Sequence, residues 1–196
     1  MQAKSLPDDP LTLFRQWYAE AEDAEADPTP MALATADQNG RPAVRIVLLK
    51  GFDERGFQFF TNIESRKGRE LRENPRAALC FFWPNLLRQV RIEGVAELVS
   101  DEEADQYFAS RPRERQLAAW ASQQSEPLAS REELLHRYRE FEAQFEGKTV
   151  PRPPFWSGYR VVPDLYEFWI GHEDRLNERF LYVKENGQWT RTLLNP

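Results

Sequence analysis

"MALATADQNGRPAVRIVLLK", residues 31–50, decides the fold. Its first part, "MALATA", reads as a strand, and "RPAVRIVLLK" reads as a second one. Between them stands "DQNG", the composition of a hairpin turn. The two strands therefore pair antiparallel, and the same grammar repeats along most of the chain.

Downstream, "FDERG" (52–56) is another turn and leads into the strand "FQFFT" (57–61). "RAALCFFW" (76–83) and "LLRQVRIEGVAELV" (86–99) are two further strands separated by a turn at Pro84-Asn85. Gly94 inside the second predicts a bulge or bend. The last third reads as "GYRVVP", "LYEFWI" and "RFLYVKE", then an Asn186-Gly187 hairpin, then "QWTRTLL". Helices are fewer. Asp9-Pro10 opens one over "LTLFRQWYAEAEDAEA", with Leu13, Phe14 and Trp17 on its apolar face and Asp27-Pro28 as its end. Ser65 caps a short helix that Pro75 stops. Ser100 with Glu103 and Ser130 with Glu133 have capping-box spacing, each opening a helix.

Many short strands joined by hairpins, with a few helices inserted, predict a mainly β, α+β fold: an antiparallel barrel decorated by helices. Strands do not alternate with helices as a doubly wound sheet requires. Neither GxGxxG nor GxxxxGK[ST] occurs, so no Rossmann or P-loop site is indicated. The 196 residues, 41% of them hydrophobic, suffice for one domain. That domain is expected to span 1–196, with 1–8 as a flexible tail and "GKTVPRPP" (147–154) as the most linker-like stretch.

The net charge of −6 argues against a general nucleic-acid binder. Cys80, the single cysteine, sits in "AALCFFW" and is expected to be buried packing. No signal-peptide core and no membrane-spanning stretch are visible, so a cytoplasmic location is expected. His136 and His172 are the only histidines and show no metal-ligand spacing; no metal is expected. His136 is expected to be exposed on a helix, and His172 is a minor candidate in a charged loop.

Two places suit phosphate. Arg66 and Lys67 open the helix after "FFTN", where cations oppose the helix dipole; an anion there, or an ordinary charged first turn, fits the sequence. In "DQYFASRPRERQ", Tyr107 and Arg111 are four apart and share a helical face, so a phenol and a guanidinium could hold one phosphate, or simply end a surface helix. Nothing resembles a general acid–base pair, which a redox cofactor would explain. The loop "GHEDRLNERFLY" (171–182) carries more charge than a connection needs.

In this order, "DPLTLF", "RIVLLK", "FFTN", "SRKG", "ENPR", "RQVRIEG", "YFASRPR", Gln124-Ser125, "FWSGYRV", "EFW", "DRLNERFLY" and "LLNP" resemble the pyridoxine/pyridoxamine 5′-phosphate oxidase family from residue 9 onward. The resemblance implies a split β-barrel that binds flavin mononucleotide (FMN) as a homodimer, with two flavins at the subunit interface. It implies oxidation of pyridoxamine or pyridoxine 5′-phosphate to pyridoxal 5′-phosphate, with O2 as acceptor and H2O2 as product. Carried over by position, Arg45, Ile46, Val47, Leu48, Leu49, Lys50, Phe60, Thr61, Arg66, Lys67, Gln89, Gln124, Ser125, Trp169 and Arg179 would hold FMN. Lys50, Tyr107, Arg111 and Arg115 would grip the substrate phosphate. Arg175 would lie over the pyridine ring, with Asn177 beside it; these two are the catalytic candidates.

Three departures stand out. Asn177 replaces the family's usual histidine, Arg115 stands where a serine is common, and the segment before "DPLTLF" is short. Arg45 and Lys50 have opposite parity on a regular strand, which a bulge, or a strand end before Lys50, would reconcile. A related split-barrel flavin oxidase with another substrate, such as a phenazine precursor, remains an alternative, as does a non-catalytic flavin or pyridoxal-phosphate binder.

Overall fold

The computed structural model describes residues 6–196. The chain runs α1 (Pro10–Ala24), β1 (Pro30–Ala36), β2 (Pro42–Leu48), β3 (Gly51–Asp53), β4 (Gly56–Asn62), α2 (Arg66–Glu73), β5 (Arg76–Trp83) and β6 (Arg88–Leu98). It continues through α3 (Asp101–Ser110), α4 (Arg113–Ala121), α5 (Arg131–Gln144), β7 (Trp156–Ile170), β8 (Glu178–Glu185) and β9 (Gln188–Leu194). The strands form one antiparallel sheet ordered β2-β1-β5-β6-β7-β4-β3, with β8 and β9 added beyond the second half of β7. This is the expected helix-decorated split barrel.

The opening hairpin pairs in full register, from Pro30 opposite Leu48 to Ala36 opposite Pro42. β2 ends at Leu48, two residues sooner than expected. Leu49 turns into the core, its N–H donating to Thr29 O at 2.9 Å, and Lys50 lies past the strand end. The parity conflict between Arg45 and Lys50 is thereby resolved.

α1 plugs the barrel. Asp9 caps it, accepting from the N–H groups of Leu11 and Thr12 at 3.3 and 2.9 Å. Its inward face, Leu13, Phe14, Trp17 and Ala21, is fully buried, and Phe14 meets Phe52 and Phe57 edge-on at 4.9 and 4.8 Å. Burial of aromatics this large contributes about 2–3 kcal/mol each. The helix stops at Ala24, short of Asp27-Pro28, where the apolar spacing has already run out.

"GYRVVP" and "LYEFWI" are not two strands. β7 is continuous through Pro163, and the irregularity falls where the sequence placed it, opposite Gly94: Glu93 faces Leu165 and Gly94 faces Pro163, leaving Asp164 as the extra residue. A Cβ at Gly94 would lie 2.0 Å from Val162 O, so only glycine allows this approach. At Ser130 only half of the capping box forms. Ser130 Oγ accepts from Glu133 N, while Glu133 accepts from Ala129 N. α4 was not anticipated; Pro112 masked its start.

The first five residues of the expected tail lie outside the described residues. Leu6, by contrast, is buried, and Pro7 O accepts from Tyr182 Oη at 2.8 Å. Cys80 is half-buried on the outer face of β5, less enclosed than expected. His136 is exposed, as expected. No helix among the described residues is long and apolar enough to cross a membrane.

Candidate active site

β4, the first part of β7, α3 and α4 enclose a cleft of about 400 Å³ beside the end of β2. Its aromatic wall is a stack. Phe60 lies against Tyr107 with ring centroids 4.0 Å apart and against Trp156 at 5.5 Å. Phe60 and Gly158 are cross-strand partners, and a Cβ at Gly158 would come within 2.7 Å of the Phe60 ring. Glycine at 158 leaves the room in which the ring lies flat.

α3 delivers Tyr107. Its capping box forms in both directions, Glu103 N to Ser100 Oγ at 3.2 Å and Ser100 N to Glu103 Oε2 at 3.3 Å. Arg111 is the C-cap, with an extended backbone rather than a place on the helical face. It nonetheless lines the cleft with Tyr107, its guanidinium 4.8 Å over the Trp156 ring. Arg111 Nη1 is buried with no hydrogen-bond partner. An unsatisfied buried charged donor costs about 1–3 kcal/mol, which an acceptor in the cleft would offset.

Lys50, Lys67, Arg111 and Arg115 all line this cleft, and no Asp or Glu does. Burial lowers the pKa of Arg111, and the neighbouring Arg115 adds to that against Tyr107. Burial raises the pKa of Tyr107, which the two arginines oppose. Lys67 Nζ donates to Thr61 Oγ1, Ser65 Oγ and Gln124 Oε1 at 3.0, 3.1 and 2.8 Å, all neutral acceptors. Burial, reinforced by Arg45, brings its pKa down to about 8. A pocket that assembles four cations without a carboxylate in a protein of net charge −6 is built for an anion.

Of the residues expected at the site, Ile46, Val47, Leu48, Lys50, Phe60, Thr61, Lys67, Tyr107, Arg111, Arg115 and Gln124 come together here. Asn62, Ala118, Ala119, Ser122 and Trp156 join them unannounced; Trp156 was legible as an aromatic at a strand start. Arg45 and Arg66 flank the cleft instead, both bonded to Glu70. Leu49 puts its side chain in the core. Ser125, in the left-handed region at φ 75°, is exposed next to Gln124.

Gln89, Trp169 and Arg179 form a separate row across β6, β7 and β8, since Gln89 pairs with Trp169 and Trp169 with Arg179. Arg179 is held by Glu167 Oε1 at 2.9 Å and by Asn195 O at 3.0 Å, and Glu167 Oε2 also accepts from Arg91 at 2.9 Å.

Between β7 and β8 the charged loop folds on itself. Asn177 Oδ1 accepts from His172 N at 3.0 Å, Leu176 N donates to Asp174 Oδ1 at 3.0 Å, and Arg175 sits at φ 65°. His172 Nε2 lies 3.1 Å from Glu178 Oε1. The Asn177 carbonyl is therefore engaged as a loop brace.

Comparison with known proteins bears on the family and the fold. A family described as "Pyridoxamine 5'-phosphate oxidase" matches residues 19–145, and one described as "Pyridoxine 5'-phosphate oxidase C-terminal dimerisation region" matches 156–196. A pyridoxine/pyridoxamine 5′-phosphate oxidase of Rubrobacter xylanophilus is 57% identical over 96% of this chain and 87% of its own. One from Zymomonas mobilis is 55% identical over 96% and 98%. The crystal structure of PhzG from Burkholderia lata, in complex with tetrahydrophenazine-1-carboxylic acid, superposes with a TM-score of 0.93 at 36% identity, covering 98% of this chain and 95% of that one. An FMN-binding protein of Nostoc punctiforme shares the fold, with a TM-score of 0.77 at 20% identity over 97% of this chain and all of its own. The chain belongs to the pyridoxine/pyridoxamine 5′-phosphate oxidase family.

Proposed function

We propose that the protein is an FMN-dependent oxidase of pyridoxine 5′-phosphate and pyridoxamine 5′-phosphate that works as a homodimer. The observation that carries this reading is the cleft without carboxylates, in which Arg111 Nη1 lacks an acceptor beside Tyr107. A substrate without phosphate has no use for Lys50, Tyr107 and Arg111 together. That consideration favours the phosphorylated vitamers over a phenazine precursor, the alternative raised by the likeness to PhzG.

The residues present fit FMN. Lys67, Thr61 and Gln124 make a polar seat with Arg45 and Arg66 at its edge, suited to a phosphate. Bound there, FMN would supply the redox chemistry, acceptance of a hydride from the substrate carbon and reoxidation by O2 to give H2O2. Pyridoxine 5′-phosphate then yields pyridoxal 5′-phosphate directly; pyridoxamine 5′-phosphate also consumes water and releases ammonia. Lys50, Tyr107, Arg111 and Arg115 hold the substrate phosphate. Arg175 covers the pyridine ring from the loop, and the Asn177 amide donates toward it. The Phe60 stack keeps water from one side of the cleft.

A second copy would let both residue groups meet at one flavin. Trp156 and Trp169 are thirteen residues apart on β7, roughly 40 Å along a straight strand. The face between them supports pairing. Cross-strand partners share a face, so Val44 and Ile46 on β2, Ala32 and Ala34 on β1, and Ala78, Cys80 and Phe82 on β5 run continuously into the Gln89–Trp169–Arg179 row. Val44, Ile46 and Phe82 are 70, 65 and 55% exposed in the single chain, an apolar surface that a two-fold partner would cover.

The test is anaerobic mixing of the purified protein with pyridoxine 5′-phosphate. Flavin absorbance should bleach, then return in air with one aldehyde formed per flavin. A yellow protein that stays yellow with both phosphorylated vitamers would overturn the reading in favour of a binder.

A further inference from the structure

We infer that Glu70 is a positioning residue for the cofactor phosphate, setting Arg45 and Arg66 in place and matching the charge of the seat to a phosphate dianion. The inference rests on the FMN reading above and adds a residue which that reading leaves out.

Glu70 lies on α2, buried at 5% exposure, among groups from three elements. From β1, Thr35 Oγ1 donates to Glu70 Oε2 at 2.5 Å. From β2, Arg45 Nη2 donates to the same oxygen at 3.0 Å, while Arg45 Nη1 donates to Thr35 Oγ1 and Leu33 O. One turn back on α2, Arg66 Nε donates to Glu70 Oε1 at 2.7 Å. The carboxylate is thus saturated by its neighbours and does not line the cleft. Arg66 is held through Nε alone, so both of its terminal nitrogens remain for an anion, on a side chain otherwise free to wander at 52% exposure.

The charges match as well. Arg45, Arg66 and Lys67 set against Glu70 leave two net positive charges, the complement of a phosphate monoester dianion. Burial acts to raise the Glu70 pKa, but hydrogen bonds from Thr35, Arg66 and Arg45 outweigh it and keep the group ionised. Its negative charge in turn supports the protonated form of Lys67, against burial and the repulsion of Arg45. Loss of the Glu70 charge would therefore discharge Lys67 at lower pH. A purely structural buried carboxylate would have no such effect on anion binding.

The experiment compares binding of FMN and of riboflavin, which lacks the phosphate, to flavin-free protein by flavin fluorescence quenching between pH 6 and pH 9.5. For Glu70→Gln the expected result is a roughly tenfold weaker FMN Kd at pH 7.5, an unchanged riboflavin Kd, and an upper pH limb displaced toward acid. Equal losses for both flavins, or an FMN Kd and pH limb matching wild type, would overturn the inference. Should Glu70→Gln not fold, Thr35→Val removes one carboxylate donor with little change in volume. It should weaken FMN several-fold in the same phosphate-selective way, and no selective loss there also overturns the inference. Failure of the underlying reading looks different: wild-type protein would then bind riboflavin as tightly as FMN, or neither.

Discussion

The cleft and the β6–β8 row both rely on arginine, yet they are wired in opposite ways. Arg179 of the row and Arg91 of the adjacent cross-strand pair converge on Glu167, which is 4% exposed and accepts from both. In the cleft, Arg111 and Arg115 share space with Lys50 and Lys67 and meet no carboxylate. The row is electrostatically complete in the single chain. The cleft is not: its four cations have no carboxylate among the lining residues, whereas Arg179 is held in place by Glu167.

The sharpest way to break this contrast is to strip Arg179 of its carboxylate partner. Glu167→Ala leaves two arginines without their shared acceptor, at a cost of about 2–3 kcal/mol. The melting temperature should fall by several degrees, and flavin retention on gel filtration should fall with it. Unchanged stability would mean the row is not self-contained. Next, Arg111→Ala should raise the KM for pyridoxine 5′-phosphate by about 30-fold, equivalent to about 2 kcal/mol, with little effect on unphosphorylated pyridoxine. Equal loss for both would remove the substrate phosphate from the cleft.

Acidity provides a third test. Lys67 has its pKa lowered to about 8, and an anion prefers the protonated amine. FMN affinity should therefore hold up to that pH and then drop by up to tenfold per unit. Arg179 stays charged throughout, so Arg179→Lys should leave the position of that limb unmoved; a displaced limb would assign the titration elsewhere. The smallest effect is expected in the loop. Asn177→Ala removes the brace on His172 N and one donor, worth about 1 kcal/mol. Substrate KM should rise about fivefold while FMN binding is retained, and loss of FMN would show that the loop serves the flavin first.

Much of this was legible in the residues. Hairpins announced themselves through "DQNG" and Asn186-Gly187, and the helix starts through Asp9-Pro10 and Ser100 with Glu103. These are local signals, in which a turn or cap is fixed by a few adjacent side chains. Tyr107 and Arg111 were brought together for a reason only partly right, since Arg111 reaches the cleft from a C-cap rather than from the helical face. Long-range pairing stayed invisible. Nothing near Glu70 on α2 says that it will meet Arg45 from β2, and nothing near Glu167 says that it will bridge Arg91 and Arg179. Such partners are chosen by strand register, which spacing along one segment cannot reveal. The same blindness split β7 at Pro163, where the sheet in fact tolerates a proline opposite a glycine.

β7 bears Trp156 at one end and Trp169 at the other. On the proposed arrangement each protomer lends half of two different compartments through a single ribbon of backbone, so prosthetic-group retention and subunit association become one equilibrium. Diluting the holoprotein should therefore release its yellow colour in step with dissociation, and added FMN should drive the subunits back together.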